Sequence, residues 1–222
     1  MSDKPKFFDE MRTPSGDLRQ GYEAVSEWLQ QTPPALLVNR KLEAEHFFRR
    51  LGITFNVYGD AAGAERLIPF DIVPRVLTSK EWDRLTRGLE QRVHALNAFI
   101  ADVYGERRIV AEGIVPEELV LQNPAYQPEM AGFRPPGGVH VHIAGIDIVR
   151  VDADTFYVLE DNARTPSGVS YMLENREAML RLVPELFGRL RIAPVDNYPD
   201  ALLQTLRRWH RRPLRQSRMS CC

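Results

Sequence analysis

The chain has 222 residues, of which 44% are hydrophobic and 27% are charged, and its formal net charge is −1. This composition is typical of a soluble globular protein, and the balanced charge gives no global electrostatic reason to expect nucleic acid or an anionic membrane as a partner. The N-terminus lacks the apolar core of a signal peptide, and no apolar run in the chain is long enough to cross a bilayer. The only cysteines are Cys221 and Cys222, at the end of the chain. We therefore expect a cytoplasmic protein.

Helical patterns open the chain. Apolar residues recur at helical spacing over Leu18–Leu29 and again over Pro34–Leu51, and Gly52 is well placed to end the second helix. The segment Ile53–Tyr58 then alternates and is rich in β-forming residues. We predict two helices followed by a short strand.

The clearest helix begins at Thr78. Thr78 and Glu81 have the spacing of a capping box, and large apolar residues follow at three- and four-residue intervals as far as Val103. Gly105 is placed to close the helix. We interpret this apolar stripe as core rather than as a functional feature.

The second half mixes strands and helices. The proline-containing segment Leu119–Tyr126 is predicted to be extended. Val139–Val151 and Phe156–Glu160 have the pattern of two strands joined in a hairpin, and Glu174–Leu190 has the pattern of one helix. Because helices and strands are interleaved along the chain, the predicted fold class is mixed α/β.

The tail from Arg207 differs from the rest. It has six arginines in sixteen residues, no acidic residue and both cysteines. A basic tail neutralises phosphates, so a nucleic-acid arm is one interpretation and a disordered end is another. We favour a third, in which the helix begun at Ala201 is cut off and the remainder is out-of-frame or otherwise non-native sequence. The predicted boundary therefore separates residues 1–206 from a tail at 207–222.

One strand ends in residues that could bind a metal. Glu160 and Asn162 lie two residues apart and hence on one face, and Asp147 on the preceding strand would lie near the same end of the hairpin. Carboxylate and amide oxygens are hard ligands that suit Mg²⁺. A strand that ends in Glu-Asp-Asn is also typical of a solvated turn, so spacing alone leaves both interpretations open.

Groups that could bind an anion surround this strand end. Arg150 and Arg164 could donate to phosphate oxygens or to a substrate carboxylate. Ser167 and Ser170, in the turn that follows, could add hydroxyl and backbone N–H donors.

His140 and His142 alternate with valines and suggest a zinc pair. With no cysteine nearby and no third ligand in register, we favour a packed or solvent-facing His140 and a hydrogen-bonded His142.

Longer motifs carry a family resemblance. Five segments, in chain order, resemble the circularly permuted ATP-grasp proteins of the type 2 group, relatives of glutathionylspermidine-synthetase-like and eukaryotic glutathione-synthetase-like ligases. The segments are GITFNVYGD, ERLIPFDIVPRVL, EWDRLTRGLEQRVHALNAFIADVYG, HIAGIDIVR and YVLEDNARTPSGVSYMLENR. The resemblance runs from about Phe7 to Leu206, which implies a partial circularly permuted ATP-grasp domain over residues 1–206.

The resemblance implies a chemistry and a set of residues. An ATP-grasp ligase uses ATP and Mg²⁺ to convert a carboxylate into an acyl phosphate, which an amine then attacks to form an amide. Glu160 and Asn162 match the Glu-x-Asn pair that holds Mg²⁺ in the family, and Asp147 is the nearest match to a further acidic ligand. Arg150 and the segment from Arg164 to Ser167 match positions expected near phosphate or substrate.

The sequence departs from the family pattern in one respect. In a permuted ATP-grasp protein the nucleotide-clamping lysines follow the Glu-x-Asn strand, whereas no lysine follows Lys80 here. The resemblance therefore predicts a chain truncated before the nucleotide-clamping half and inactive alone. Three hypotheses follow: a ligase for small-molecule or peptide carboxylates and amines, a non-catalytic binding fragment that needs a complementing chain, and, well below both, a nucleic-acid binder acting through the tail.

Overall fold

The computed structural model describes residues 7–55, 66–67 and 69–210. Within these residues the chain forms helices and two small antiparallel sheets, which confirms the mixed α/β prediction. The elements in chain order are α1 (Glu23–Gln31), α2 (Pro34–Leu51), β1 (Thr54–Phe55), β2 (Arg66–Leu67), α3 (Ser79–Val103), α4 (Arg108–Ala111), α5 (Glu117–Leu121), β3 (Gly145–Arg150), β4 (Phe156–Asn162), α6 (Val169–Leu182), α7 (Pro184–Arg189) and α8 (Tyr198–His210).

The chain divides into two compact units. The first contains residues 1–89 and 145–195, and the second contains 90–144 and 196–222, so α3 contributes residues to both. The hairpin formed by β3 and β4, together with helices α1, α2, α6 and α7, lies in the first unit. The predicted site residues therefore all belong to one unit.

The first unit has a core built by α1, α6 and α7. Apolar side chains at helical spacing on α1 pack against side chains from the α6–α7 region. Burying such side chains contributes roughly 1.5–3 kcal/mol each to folding. The buried members of this cluster are Tyr22, Val25, Trp28, Met179, Val183 and Leu186.

The single helix predicted over Glu174–Leu190 is wrong, because the chain forms two helices that meet at Val183. Pro184 has no N–H to donate, and its ring disfavours helical geometry in the residue before it. Val183 accordingly has φ −136° and ψ 52°, and it is fully buried. Val183 at the break and Leu186 after it are both buried in the core.

Helix α2 has the predicted bounds, and it ends as predicted at Gly52. Gly52 adopts a left-handed conformation with φ 66°, and its N–H donates to the Arg49 carbonyl at 3.2 Å. Phe48 on the last turn packs its ring 4.9 Å from that of Phe70. The strand predicted over Ile53–Tyr58 is present as β1, paired with β2, while its residues 56–58 lie outside the described residues.

The capping box at the start of α3 is confirmed. The Thr78 N–H donates to Glu81 Oε2 at 2.8 Å, and the Glu81 N–H donates back to Thr78 Oγ1 at 3.3 Å. The helix continues to Val103, as its apolar spacing predicts.

Two predictions of extended structure in the second unit are wrong. Part of the segment predicted to be extended, Leu119–Tyr126, belongs to helix α5, which begins after Pro116 and has acidic residues in its first turn, where they favour a helix. Val139 to Ala144 also does not belong to β3. There, Asn97 Oδ1 accepts the N–H groups of His140 at 2.8 Å and Val141 at 3.0 Å, so a side chain takes the place of a strand partner.

The helix predicted from Ala201 is present as α8 and begins earlier, at Tyr198. It continues past Leu206 through Arg207 and Arg208 to His210. Residues 211–222 lie outside the described residues, so the interpretation of the tail stays a prediction.

Candidate metal site on the hairpin

A β-bulge in the hairpin orients the predicted metal ligands. Asp147 pairs with Glu160, whereas the next residue, Ile148, pairs with Val158, so Leu159 is an extra residue in β4. Without the extra residue, strict alternation would put Glu160 on the same face as the partly buried Val158. Because of the bulge, Leu159 and Glu160 are both exposed, and Asn162 follows on the same face as Glu160.

Asp147 and Glu160 face each other directly across the ladder. Directly opposed side chains in an antiparallel pair lie close together, and two carboxylates at such a position repel when both are ionised. A hydrogen bond with Glu160, assisted by desolvation and by the charge of that residue, raises the pKa of Asp147 above its ordinary value. A cation bound between the two carboxylates would relieve their repulsion.

Asn162 completes the group from the end of β4. Its Nδ2 donates to Glu160 Oε1 at 2.8 Å, and its amide oxygen is not used in this hydrogen bond. Across the ladder stands Gly145, where an added Cβ would meet the Cβ atoms of Pro166 at 3.3 Å and Asn162 at 3.5 Å. The absence of a side chain at position 145 therefore lets the strand end and the following turn approach closely.

This donor set suits a hard divalent cation. Two opposed carboxylates and one amide oxygen are the oxygen ligands that Mg²⁺ uses, and Mg²⁺ usually keeps several waters and binds substrate phosphates as well. Among the described residues, no group of three or more His, Cys, Asp and Glu side chains could hold a metal ion. Besides Asp147 and Glu160, a metal at the hairpin would thus need Asn162 and further ligands such as water or substrate.

The turn after β4 leads to an uncapped helix. Gly168, with φ 90°, precedes α6 and provides no side-chain cap, so the first N–H groups of the helix have no capping partner from that residue. Ser167 and Ser170 lie on either side of this helix start and are exposed, as is Arg164. Serine hydroxyls, a helix N-terminus and a guanidinium together suit an anion such as phosphate.

The structure does not bring Arg150 together with the carboxylates of Asp147 and Glu160. It lies on the face of β3 opposite to Asp147 and Val149, and its side chain is only 5% exposed. Its Nη2 donates to Glu81 Oε1 at 2.5 Å and to the Ala153 carbonyl at 2.7 Å. The assignment of Arg150 to the reaction stays a prediction.

A cavity of about 630 Å³ lies elsewhere in the first unit, and sequence reasoning did not find it. Its lining includes Glu10, Arg75 and Asn175. Glu10 Oε1 pairs with Arg75 Nε at 2.8 Å, whereas Glu10 Oε2 is buried without a hydrogen-bond partner and lies 3.9 Å from Arg150 Nη1. No periodic pattern marks Glu10, because its partners are distant in sequence.

Comparison with known proteins shows the family of the chain. Residues 74–215 match the family described as a circularly permuted ATPgrasp. The match includes Asp147, Glu160 and Asn162, and it confirms both the resemblance drawn from the motifs and the expected fold class.

Three relatives illustrate the similarity. An uncharacterized protein of Synechocystis sp. (strain ATCC 27184 / PCC 6803 / Kazusa) is 43% identical over 204 residues, which are 92% of this chain and 42% of the relative. An uncharacterized protein of Mycobacterium tuberculosis (strain ATCC 25618 / H37Rv) is 42% identical over 200 residues, or 90% of this chain and 36% of the relative. A Frankia casuarinae protein named "Putative glutamate--cysteine ligase 2-2" is 40% identical over 205 residues, or 91% of this chain and 23% of the relative. The chain thus spans less than half the length of these relatives.

Proposed function

Because the chain belongs to the circularly permuted ATP-grasp family, we propose that it carries the metal- and phosphate-binding hairpin of an ATP-dependent carboxylate–amine ligase. The observation that carries this proposal is the register of β3 and β4, in which Asp147 faces Glu160 and Asn162 donates to the same carboxylate. Opposed carboxylates on an exposed face are unfavourable by themselves, and a bound divalent cation would offset their repulsion.

Every predicted site residue except Arg150 has a role in this proposal. Glu160, Asn162 and Asp147 would hold Mg²⁺, which when bound would neutralise charge on the nucleotide phosphates. Arg164 would donate to phosphate oxygens, and Ser167 and Ser170 would add donors at the start of α6.

The proposed reaction has two steps. A carboxylate oxygen of the acid substrate attacks the γ-phosphorus of ATP, the bond to the β–γ bridging oxygen breaks, and ADP leaves. An amine then attacks the carbonyl carbon of the acyl phosphate, phosphate leaves with the bonding electrons, and the nitrogen gives up a proton as the amide forms. Positioned cationic donors such as Arg164 lower the barrier by stabilising charge on the transferring phosphoryl group.

The proposed class of substrates is based on the names of two relatives. Two Frankia relatives are named "Putative glutamate--cysteine ligase", and the reaction in that name joins a carboxylate to an amine. We propose small-molecule or peptide carboxylates and amines as substrates of the complete enzyme, with ATP and Mg²⁺ as cofactors.

A second candidate function is a non-catalytic binding fragment that needs a complementing chain for the nucleotide clamp. The chain spans 42% or less of the length of these three relatives. Release of ADP by the 222-residue chain alone, with ATP, Mg²⁺, glutamate and an amine, would favour the complete ligase. Release only after a separately produced complementing polypeptide is added would favour the fragment.

The metal site can be tested directly with Mn²⁺, whose binding to the 222-residue chain is measured by electron paramagnetic resonance. We expect Glu160→Gln to weaken Mn²⁺ binding by about tenfold or more, or about 1.4 kcal/mol, because it removes one of the two charged ligands. Glu129→Gln is the matched control, since Glu129 is exposed and lies in the other unit. Equal Mn²⁺ affinity in the wild type and Glu160→Gln would contradict the proposal.

A further inference from the structure

The cavity in the first unit is separate from the proposed metal site. It is lined mainly by residues 8–11, by residues between 69 and 75, and by Asn175 and Met179 on α6. Its volume of about 630 Å³ lies in the range of roughly 300–1,000 Å³ that is typical of small-molecule sites. None of the residues proposed to bind the metal or phosphate belongs to this lining. The cavity therefore has the size of a ligand site and no function assigned to it.

One cationic side chain on the lining has unused donors. Arg75 pairs through Nε with Glu10 Oε1 at 2.8 Å, and its side chain is 69% exposed. Among the described residues, its guanidinium has no other ion-pair or hydrogen-bond partner. Glu10 is itself held beside Arg150, whose Nη1 lies 3.9 Å from Glu10 Oε2. A guanidinium that is anchored at one edge and open at the other suits a carboxylate, which it can bind with two parallel hydrogen bonds.

Two aspartates on the same lining have the opposite charge. Asp71 Oδ1 accepts the N–H of Val73 at 2.9 Å. Asp9 Oδ1 accepts the N–H groups of Met11 and Arg12, each at 2.8 Å. The hydrogen bonds from Arg12 and then from Met11 lower the pKa of Asp9 below its ordinary value. Because both side chains are exposed and each has a second carboxylate oxygen, they can accept hydrogen bonds from an ammonium group.

Much of the remaining lining is apolar. Phe70 and Val73 are partly buried, Met179 is buried, and all three belong to or pack against the core of the first unit. Phe70 also contacts the ring of Phe48, with 4.9 Å between the ring centroids. A ligand in the cavity would thus meet an apolar wall that the core supports, together with groups of both charges.

We propose that this cavity binds an amino acid with an apolar side chain, whose carboxylate binds Arg75 and whose ammonium group binds Asp71. The apolar side chain packs against Phe70 and Met179. A zwitterion matches both charges of the lining, whereas an anion alone would leave the aspartates unpaired and a cation alone would leave Arg75 unpaired. The proposal goes beyond the proposed function and does not depend on it, because the two sites share no residue.

Three ligands test the proposal on the unaltered 222-residue chain by isothermal titration calorimetry. They are L-leucine, isocaproate, which is leucine without its ammonium group, and isoamylamine, which is leucine without its carboxylate. We expect L-leucine to bind at least about tenfold more tightly than either analogue, because each analogue loses one charge-assisted contact.

Two variants then test the residue assigned to each charge. Arg75→Gln should weaken L-leucine binding by about tenfold or more without weakening isoamylamine binding, because isoamylamine has no carboxylate. Asp71→Asn should weaken L-leucine binding without weakening isocaproate binding, because isocaproate has no ammonium group. Arg134→Gln is the matched control, since Arg134 is exposed and lies in the second unit.

Three results would overturn the proposal. They are the absence of saturable L-leucine binding, an analogue that binds as tightly as L-leucine, and equal L-leucine affinity in the wild type and Arg75→Gln. Mn²⁺ binding to the same protein separates this proposal from the proposed function. A chain that binds Mn²⁺ but not L-leucine contradicts the cavity assignment alone, and one that binds L-leucine but not Mn²⁺ contradicts the metal site alone.

Discussion

Glu81 connects a helix start to a buried guanidinium. One carboxylate oxygen accepts from the Thr78 N–H and hydroxyl, each at 2.8 Å, while the other accepts from Arg150. Burial by itself would raise the pKa of Glu81, but the hydrogen bonds from Thr78 and then from Arg150 outweigh that effect and lower it. Glu81 therefore stabilises the fold in its ionised form.

We expect Glu81→Gln to lower the free energy of unfolding by about 1–3 kcal/mol at neutral pH, since it weakens hydrogen bonds to charged groups. A carboxyl whose pKa is lower in the folded state contributes fully above its unfolded pKa of about 4.3 and loses the contribution as pH falls through the folded pKa. The difference from the wild type should thus shrink in strongly acidic buffer. Urea unfolding at neutral and acidic pH measures it, with exposed Glu43→Gln as the control, and an undiminished difference in acid would contradict the assignment.

At the scale of elements, glycines mark where backbone conformation decides the packing. Gly21, with φ 94°, turns the chain into α1, and a Cβ there would meet Thr78 Cγ2 at 3.2 Å and Val76 Cγ1 at 3.3 Å. Gly88 lies inside α3, where a Cβ would meet nothing within 4 Å. The two glycines therefore predict opposite effects of the same substitution.

We expect Gly21→Ala to destabilise the protein by about 1–2 kcal/mol, because alanine disfavours the left-handed conformation. Gly88→Ala should stabilise it by about 0.5–1 kcal/mol, because alanine is the better helix former. Both changes are read as shifts of the midpoint in denaturant unfolding. A loss of stability in Gly88→Ala, or none in Gly21→Ala, would show that the local geometry is not the deciding factor.

At the scale of the whole molecule, burial is unevenly distributed between the two units. The clusters around Trp28 and around Phe48 both lie in the first unit. In the described part of the second unit, the buried apolar side chains are those of Val103, Val120 and Val141.

The described part of the chain also has no helix that is long and apolar enough to span a membrane. Cytoplasmic localisation and the absence of a nucleic-acid partner stay predictions.

This distribution predicts different local stabilities. Amide hydrogens of α1 and of the end of α6 should exchange at least about tenfold more slowly than those of α5, because opening the first unit exposes more buried apolar surface. Hydrogen exchange followed by mass spectrometry measures this directly. Uniform exchange across the three segments would mean that the described part of the chain unfolds as a single cooperative unit.

The sequence by itself determined the features that local interactions control. The ends of α2, the capping box of α3 and the hairpin of β3 and β4 follow from spacing and from neighbouring residues, and so does the shared face of Glu160 and Asn162. The long motifs also indicated the family, which the match over residues 74–215 confirms. The assignment of the metal stays a prediction.

Only the tertiary structure decided the features that depend on distant residues. The contacts of Arg150 with Glu81 and Glu10 join segments far apart in the chain, and the bulge at Leu159 depends on how β4 pairs with β3. The helix break at Val183 has a local cause in Pro184, but the burial of Val183 in the core depends on the packing of distant helices. Periodicity carries no signal for such contacts, because a local pattern repeats at fixed spacing whereas the partner of a buried charge or of a core position does not. The orientation of Glu160 depends on both: its spacing to Asn162 is local, but the bulge that turns the pair to the exposed face belongs to the paired sheet.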